Sequence, residues 1–213
     1  ESQFKEIIIE RNVAEFAEET QKICGANKNL YRYFPSAIDG LKPVERRFLY
    51  ALYLHKKYGG NLTKLDKAQG DTSTFHPHGG GSIEDVAAAL SQTWMQNVPL
   101  VRILGNNGSI RGTDHAAGRY LDIELTNFAY DCYFDDFNNV SVDKKLNYLG
   151  TDYEPNFLPA KYPIALVNGG FSSIGYGAAS NIALFNFKEL CEAVIKLLDD
   201  PDAKIILYPD IPT

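Results

Sequence analysis

The segment Arg119–Leu125 alternates polar and apolar side chains, and this two-residue period constrains the fold more than any other stretch of the chain. Such alternation is typical of a strand with one face in a core and the other toward solvent. Leu121, Ile123 and Leu125 are therefore predicted to face the core, whereas Tyr120 begins the strand on its wetter face. The pattern predicts a tyrosine hydroxyl that is presented to a groove.

The arginine beside this tyrosine indicates a chemical role for it. A free phenol titrates near pH ~10, so it needs a proton acceptor or nearby positive charge to act as a nucleophile at neutral pH. The Arg119 guanidinium is permanently charged, and its fork matches two phosphate oxygens. Most of the 13 tyrosines are expected to be packing residues. With the paired histidines of Phe75–Gly79 upstream, the pattern favours Tyr120 as a nucleophile on a DNA phosphodiester.

Two helical segments joined by the Phe75–Gly81 turn predict a helix-turn-helix unit. Residues 63–74 form the weaker helix pattern. Ser82 begins the stronger one, with Asp85 three residues later as in a capping box. The apolar positions of this second helix are Ile83, Val86, Ala87, Leu90 and Trp94. A turn at Gly105–Gly108 then leads to the Tyr120 strand, so we predict an α+β fold with a winged-helix, CAP-like domain whose second helix enters the major groove.

A further helix is predicted upstream of this unit. Pro43 fits the first turn of a helix that runs to about Lys57, with Gly59-Gly60 beyond its end. Arg46 and Arg47 lie on its first two turns and are long enough to reach a DNA backbone. An arginine that covers the edge of a core would give the same sequence pattern.

The chain is predicted to divide into three parts. Residues 1–26 form an N-terminal helical arm, 27–150 the winged-helix domain with the reactive tyrosine, and 151–213 the start of a second domain. In the arm, apolar residues at helical spacing from Val13 to Ile23 indicate an amphipathic helix that ends near Gly25.

Two more segments carry local predictions. A loop is expected over 27–36. Prolines at 155, 159 and 163 mark a linker before the third part, in which Asn186 and Glu189 begin a capped helix. Residues 204–208 are predicted to form a strand.

The overall charge limits the kind of DNA contact that is expected. A net charge of -6 and a pI near 5.2 argue against a protein that coats DNA over its whole surface, because non-specific affinity grows with the number of phosphates neutralised. The cations near the motifs are Lys42, Arg46, Arg47, Lys64, Lys67, Arg111 and Arg119, whereas acidic residues cluster downstream. We expect a basic groove on an acidic body, with about a third of these cations merely solvated.

Cysteine and histidine spacing gives no metal-site pattern. The three cysteines have no C-x-x-C spacing, so neither a disulfide framework nor a zinc site is predicted, and a reducing cytosol is expected. His76 and His78 form an isolated H-x-H, which is more often not a zinc site. No segment is predicted to span a membrane.

A series of motifs follows one family order. They are Arg32–Pro35, Asp39–Arg47, Gly70-Asp71, Phe75–Gly79, Gly105–Ser109, Ala116–Tyr120, Val167–Gly169, Ile174–Gly177 and Asn181-Ile182. From about Arg32 to Thr213 the chain resembles the breakage-reunion part of type II DNA topoisomerases, most closely the gyrase A and topoisomerase IV A subunits and their phage relatives. The third part then resembles the tower domain, here cut short, and the chain is interpreted as a fragment of a larger protein.

The resemblance implies specific roles for nine residues. The catalytic set is Tyr120, Arg119, His76 and Arg32, and the DNA-binding set is Lys42, Arg46, Arg47, His78 and Ile174. His76 would donate a hydrogen bond near the scissile phosphate, and Arg32 would be a second cation near the tyrosine. Ile174 would wedge between base pairs and bend the duplex.

The resemblance also implies a reaction and its partners. Tyr120 would form a 5′-phosphotyrosyl link to one strand of a double-stranded DNA gate, a second subunit of a homodimer would cut the other strand, and ATP would drive passage of another duplex. Magnesium would be held by a TOPRIM domain outside this chain, in a B-type subunit or a fused region that also carries the ATPase. Alone, this chain would bind DNA weakly and cleave it poorly. The expected location is the cytoplasm with the nucleoid, or the host cytoplasm for a phage protein.

The sequence is also compatible with two other functions, and several of its residues depart from the family pattern. A non-catalytic winged-helix binder would keep the fold without the reaction, and a tyrosine recombinase would attach to the 3′ phosphate instead. Gly80-Gly81 replaces the usual acidic-serine pair while Asp85 keeps the acidic anchor, so weak quinolone sensitivity is predicted. Asn107, Arg111 and His115 also depart from the family pattern, which is consistent with a phage or divergent origin.

Overall fold

The computed structural model describes residues 10–138, 142–169 and 172–210. The helices are α1 (Val13–Lys28), α2 (Pro43–Lys57), α3 (Leu65–Ser73), α4 (Gly81–Ser91), α5 (Asn127–Tyr133), α6 (Ile164–Val167) and α7 (Phe187–Asp199). The strands are β1 (Thr63–Lys64), β2 (Val101–Leu104), β3 (Asp122–Leu125), β4 (Lys144–Leu146), β5 (Tyr153–Pro155), β6 (Ser173–Ile174) and β7 (Ala179–Ser180). A π-helical turn over Asn29–Tyr33 follows α1, and a 3-10 turn over Gly118–Tyr120 precedes β3. The mixture of helices and sheets confirms the α+β class.

Helix α2 is the central element of the core, and its predicted bounds are confirmed. Pro43 occupies the first turn, where its missing N–H has no helical partner to lose. Phe48 and Leu49 are fully buried. Tyr53 stacks on Phe134 with ring centroids 4.5 Å apart. This helix therefore fixes the position of the residues at its N-terminal end.

A three-stranded antiparallel sheet, in the order β1-β3-β2, carries the predicted alternation. Leu121, Ile123 and Leu125 are buried as expected. Tyr120 is not part of β3, however, because the chain closes a tight turn there, with the Tyr120 N–H bonded to the Ala117 carbonyl at 2.9 Å. The prediction that the tyrosine begins the strand is therefore wrong by two residues.

Helices α3 and α4 pack against α2 and are joined by the turn at residues 74–80. The first two residues of the predicted weak helix form β1 instead, because they pair with β3. Helix α4 begins at Gly81, and the Ser82 hydroxyl donates to the Gly79 carbonyl at 2.8 Å rather than capping a backbone N–H. Trp94 lies beyond the end of this helix.

The N-terminal arm differs from its prediction. Helix α1 begins after Asn12, whose side chain accepts from the Ala14 N–H, and continues past Gly25 to Lys28. The predicted loop over 27–36 is therefore wrong over residues 27–33, where α1 ends and the π-helical turn follows it. Val13, Phe16 and Ile23 are exposed. Within the described ranges, the apolar residues of this arm are thus not part of the core.

The C-terminal part shares the core of α2. Leu158, Ile164, Val167 and Leu190 belong to the same buried cluster. Strands β4 and β5 pair across the predicted boundary at residue 150. The division into three domains stays a prediction.

Helix α7 confirms the predicted cap, because the Asn186 side chain accepts from the N–H groups of Lys188 and Glu189. The strand predicted for residues 204–208 is wrong. This segment has no partner strand among the described residues. Across the same described ranges, no helix combines the length and apolar character needed to cross a membrane.

Candidate active site

Tyr120 lies on the surface with its aromatic ring beside a cation. Its side chain is 64% exposed. The Arg119 guanidinium carbon lies 4.7 Å from the centre of the Tyr120 ring, which is within cation–π distance. Arg119 and Tyr120 lie in a turn whose two ends are packed inside the protein, since Gly118 and Leu121 are buried. The hydroxyl is therefore accessible to a ligand while the backbone beneath it is fixed.

A second group forms around Arg47, which lies on the first two turns of α2. Its Nε and Nη2 donate to the two carboxylate oxygens of Glu154 at 2.6 and 2.8 Å. Its Nη1 lies 3.2 Å from His76 Nδ1. A guanidinium can only donate, so Nδ1 accepts and the imidazole proton resides on Nε2. Arg47 thus fixes the tautomer of His76.

The same surroundings keep His76 neutral. Its side chain is buried at the end of α3. Burial, together with the charges of Arg47, His78 and Arg32, lowers the pKa of His76 to about 4. The imidazole is therefore an uncharged donor through Nε2 at neutral pH, which fits the predicted donor role.

His78 and Arg32 complete this second group. The rings of His76 and His78 meet edge to face, with centroids 4.8 Å apart. Burial lowers the pKa of His78, and the charges of Arg32 and Arg47 act in the same direction. Arg32 is exposed on the π-helical turn. The fold thus gathers four of the nine predicted residues into one cationic cluster, which we call the arginine–histidine cluster (Arg32, Arg47, His76 and His78).

Sequence reasoning missed Glu154. This carboxylate is buried, and it lies 107 residues from Arg47. It also lies 3.9 Å from Lys145 Nζ on the paired strand. A single glutamate after a tyrosine has no distinctive pattern, so no feature of the sequence predicts the pairing. Glu154 neutralises part of the charge that Arg47 would offer to a phosphate.

Arg46 does not fit its predicted role as a DNA contact. Its Nε and Nη2 donate to the two carboxylate oxygens of Asp39 at 2.6 and 2.9 Å, and Nη2 also donates to the Leu41 carbonyl. Both side chains are buried. Asp39 further accepts from the Leu158 N–H at 2.9 Å. Arg46 is therefore occupied in a buried ion pair that joins α2 to the C-terminal part.

Ile174 is exposed on a two-stranded hairpin. It lies on the β6–β7 hairpin with 82% of its surface accessible. Asn29 holds the hairpin from below, because its side chain donates to the Tyr176 carbonyl and accepts from the Tyr176 N–H at 2.9 and 2.8 Å. Lys42, the last of the predicted contacts, is half-buried at the start of α2.

Among the described residues, the predicted catalytic set forms two groups, Tyr120 with Arg119 and His76 with Arg32. Within the described part of the chain, no hydrogen bond, ion pair or ring contact joins Tyr120 to His76 or Arg32. The predicted basic groove is also less basic than its residues suggest, because Lys64 pairs with Asp122 at 2.9 Å and Lys67 with Asp71 at 2.7 Å. Among the described residues, no three His, Cys, Asp or Glu side chains are grouped so that they could hold a metal ion.

Comparisons with known proteins identify one family for this chain. Residues 32–213 match the family model that describes the A subunit of DNA gyrase/topoisomerase IV. The DNA gyrase A subunit of Deinococcus deserti is 37% identical over an alignment of 190 positions that covers 85% of this chain and 23% of that protein. The DNA topoisomerase 4 A subunit of Staphylococcus epidermidis is 38% identical over an alignment of 190 positions that covers 85% of this chain and 24% of that protein.

A third relative matches almost the whole chain. The DNA gyrase A subunit of Chlamydia muridarum is 38% identical over an alignment of 217 positions that covers 98% of this chain and 26% of that protein. The chain thus spans about a quarter of the length of these relatives. The family match runs from Arg32 through Tyr120 and Ile174, so it contains every residue predicted for the site. On these grounds, the chain belongs to the family of DNA gyrase and topoisomerase IV A subunits.

Proposed function

We propose that this chain is the DNA breakage-reunion module of an ATP-dependent type II topoisomerase, with Tyr120 as its nucleophile. The observation that carries the proposal is the exposed phenol of Tyr120 beside the Arg119 guanidinium. The Tyr120 oxygen attacks a DNA phosphorus and loses its proton. The bond to the 3′ oxygen breaks, that oxygen takes up a proton, and the 5′ phosphate stays on the tyrosine. The reverse transfer reseals the strand, so cutting consumes no external energy.

The arrangement of elements supports a winged-helix interpretation. Helices α3 and α4 with the turn between them form the helix-turn-helix, and β2 and β3 form the wing. In this interpretation α4 enters the major groove, as the second helix of such units does. Tyr120 lies at the base of the wing, where the chain enters β3.

The arginine–histidine cluster would hold the DNA backbone. Arg32 and Arg47 supply charge, and the neutral His76 donates through Nε2 toward the scissile phosphate. Because Tyr120 makes no contact with this cluster within the described chain, the cluster would serve the tyrosine of a partner subunit or meet Tyr120 only through bound DNA. Lys42 would contact the backbone beside it, and Ile174 would open a base step. Arg46 has no part in this interface because Asp39 holds it.

The remaining components would lie outside this chain. The proposal needs double-stranded DNA, a homodimer of this module, and a B-type subunit or fused region that supplies the TOPRIM and ATPase domains. Magnesium on the TOPRIM domain would stabilise charge on the reacting phosphate. This chain contributes the nucleophile and the DNA-binding surface.

The substitution Tyr120→Phe tests the proposal in the complete enzyme. It removes one oxygen and keeps the ring, so it should abolish the covalent protein–DNA adduct, and DNA affinity should stay within about threefold, less than about 1 kcal/mol. Tyr58→Phe is the matched control, because Tyr58 is an exposed tyrosine that belongs to none of the family motifs, and this variant should form the adduct normally.

Three outcomes would contradict the proposal. An adduct that persists in Tyr120→Phe would exclude this residue as the nucleophile. Attachment to the 3′ phosphate would indicate a tyrosine recombinase. Absence of any adduct from the wild-type complete enzyme would leave a non-catalytic DNA-binding module.

A further inference from the structure

The turn that carries Tyr120 is held by a carboxylate on α4. The backbone N–H of Gly118 donates to Glu84 Oε2 at 3.1 Å. Gly118 is buried, and Glu84 is half-buried. The contact joins residues 34 positions apart, so it ties the reactive turn to the helix-turn-helix unit rather than to its own strand.

The space around Gly118 is shaped for this contact. A Cβ atom at this position would lie 2.5 Å from Asp66 Oδ1 and 3.0 Å from Glu84 Oε1. A side chain here would therefore push both carboxylates away, whereas a glycine lets the carboxylates of α3 and α4 approach the turn. Glycine at this position leaves both carboxylates room to lie against the turn.

The next residue of α4 holds the same loop at a second point. Asp85 Oδ1 lies 3.3 Å from His115 Nε2. His115 Nδ1 donates to the Ala116 carbonyl at 2.8 Å, which leaves Nε2 directed at the carboxylate. These two contacts raise the pKa of His115. Two successive acidic residues of one helix thus contact the segment that leads into Tyr120.

We propose that Glu84 is a positioning residue for the Tyr120 nucleophile, acting through the Gly118 N–H. The inference rests on the proposed function. Tyr120 follows Gly118 by two residues in a single 3-10 turn, so a shift of Gly118 moves the phenol with it. A misplacement of about 1 Å at a reacting group can lower a rate by about 10²-fold. Asp85 and His115 support the same loop from its other side.

The test is the single-turnover rate of covalent adduct formation by the complete enzyme, measured beside DNA affinity. Glu84→Ala should slow adduct formation by about tenfold or more, because the turn loses its anchor. Its DNA affinity should stay within about threefold of wild type. Glu84→Gln keeps an oxygen that accepts the Gly118 N–H and should restore the rate to within about threefold. Glu192→Ala, on the exposed face of α7, is the matched control and should leave the rate unchanged.

A second variant covers the case in which Glu84→Ala does not fold. Gly118→Ala keeps Glu84 but places a methyl group 2.5 Å from Asp66 Oδ1 and 3.0 Å from Glu84 Oε1, so both carboxylates must shift, and it should slow adduct formation. A wild-type rate in Glu84→Ala or in Gly118→Ala would overturn the inference. A Glu84→Gln rate as low as that of Glu84→Ala would also overturn it, because the charge would then matter rather than the backbone bond. Loss of the adduct in Tyr120→Phe with a normal rate in Glu84→Ala would refute the positioning role alone.

Discussion

Arg46 and Arg47 are adjacent on α2, yet their guanidinium groups have different surroundings. Arg46 is enclosed with Asp39 in the core, and we expect Arg46→Ala to lower the free energy of unfolding by about 3–5 kcal/mol because it leaves a buried carboxylate without its partner. Urea unfolding of the chain measures this change. Lys67→Ala, which removes an exposed pair with Asp71, is the control and should cost less than about 0.5 kcal/mol. An equal, small loss in both variants would contradict the structural role of Arg46.

Glu45 gives the stability of the chain a pH dependence. Burial raises the pKa of this carboxyl to about 7, and the Lys42 N–H that it accepts offsets part of the rise. Because the folded pKa exceeds the unfolded value of 4.5, the stabilising contribution of the neutral carboxyl is complete below pH 4.5 and is lost as the pH rises through 7. The contribution of Glu45 to the free energy of unfolding should therefore fall by about 3 kcal/mol over this window. It is measured as the difference between wild type and Glu45→Gln, because the lowered pKa of His76 gives an opposite pH dependence in both proteins.

The substitution Glu45→Gln should remove that dependence. The amide oxygen still accepts from the Lys42 N–H but carries no charge, so the variant should be more stable than wild type above about pH 7. Urea unfolding on either side of that pH measures the difference, with the exposed Glu192→Gln as control. A parallel fall in stability for wild type and Glu45→Gln would show that another group titrates.

The contrast between Arg46 and Arg47 shows what the sequence leaves open at the residue scale. The sequence predicts a DNA contact for both arginines, because the spacing of residues along a helix does not show which group a long polar side chain will contact. Asp39 lies in a turn and Glu154 lies 107 residues beyond Arg47. The inward positions of β3 were predictable, since they depend only on local alternation. Partner choice depends on tertiary contacts that no local pattern records.

At the scale of elements, the β6–β7 hairpin carries the proposed wedge residue Ile174 and is bonded to the π-helical turn through Asn29. Asn29 holds its tip from below while Ile174 remains exposed. We expect Ile174→Ala to reduce the bend of a bound duplex, because the wedge that separates two base pairs is lost. Fluorescence energy transfer between dyes at the two ends of a bound duplex measures the bend in the complete enzyme. Ile206→Ala, an exposed isoleucine beyond α7, is the control, and equal bending in all three proteins would refute the wedge.

Elements with strong local sequence patterns were predictable, whereas strands that form only by pairing with a distant strand were not. Pro43 and the Gly59-Gly60 pair bound α2, and the Asn186 cap begins α7, as the sequence indicates. Strand β1 has only two residues and exists because β3 pairs with it. Residues 204–208 have strand-forming residues but no described partner. A strand needs a neighbour, so its composition alone does not decide its structure.

At the scale of the whole molecule, the charge pattern changes the expected strength of DNA binding. Several cations near the motifs are paired with carboxylates, among them Arg47, Lys64 and Lys67. Paired cations release fewer counterions when they meet phosphates, so they add less to affinity. In the proposed enzyme, the TOPRIM region and the partner protomer would then supply much of the affinity for DNA. This is consistent with a module that acts within a larger assembly.

The same dependence on assembly makes drug sensitivity a property to test in the complete enzyme. We propose weak quinolone sensitivity, because Gly81 has replaced the serine anchor and Asp85, the remaining acidic anchor, is engaged by His115.

A side chain at Gly81 would meet no atom within 4 Å, so Gly81→Ser can be made without strain. Gly81→Ser should increase drug-stabilised cleavage complexes at a given fluoroquinolone concentration, with the half-maximal concentration falling about tenfold, or about 1.4 kcal/mol. Gly79→Ser, equally free of contacts, should not change it. Wild-type sensitivity equal to that of a sensitive bacterial gyrase in the same assay would refute the proposal.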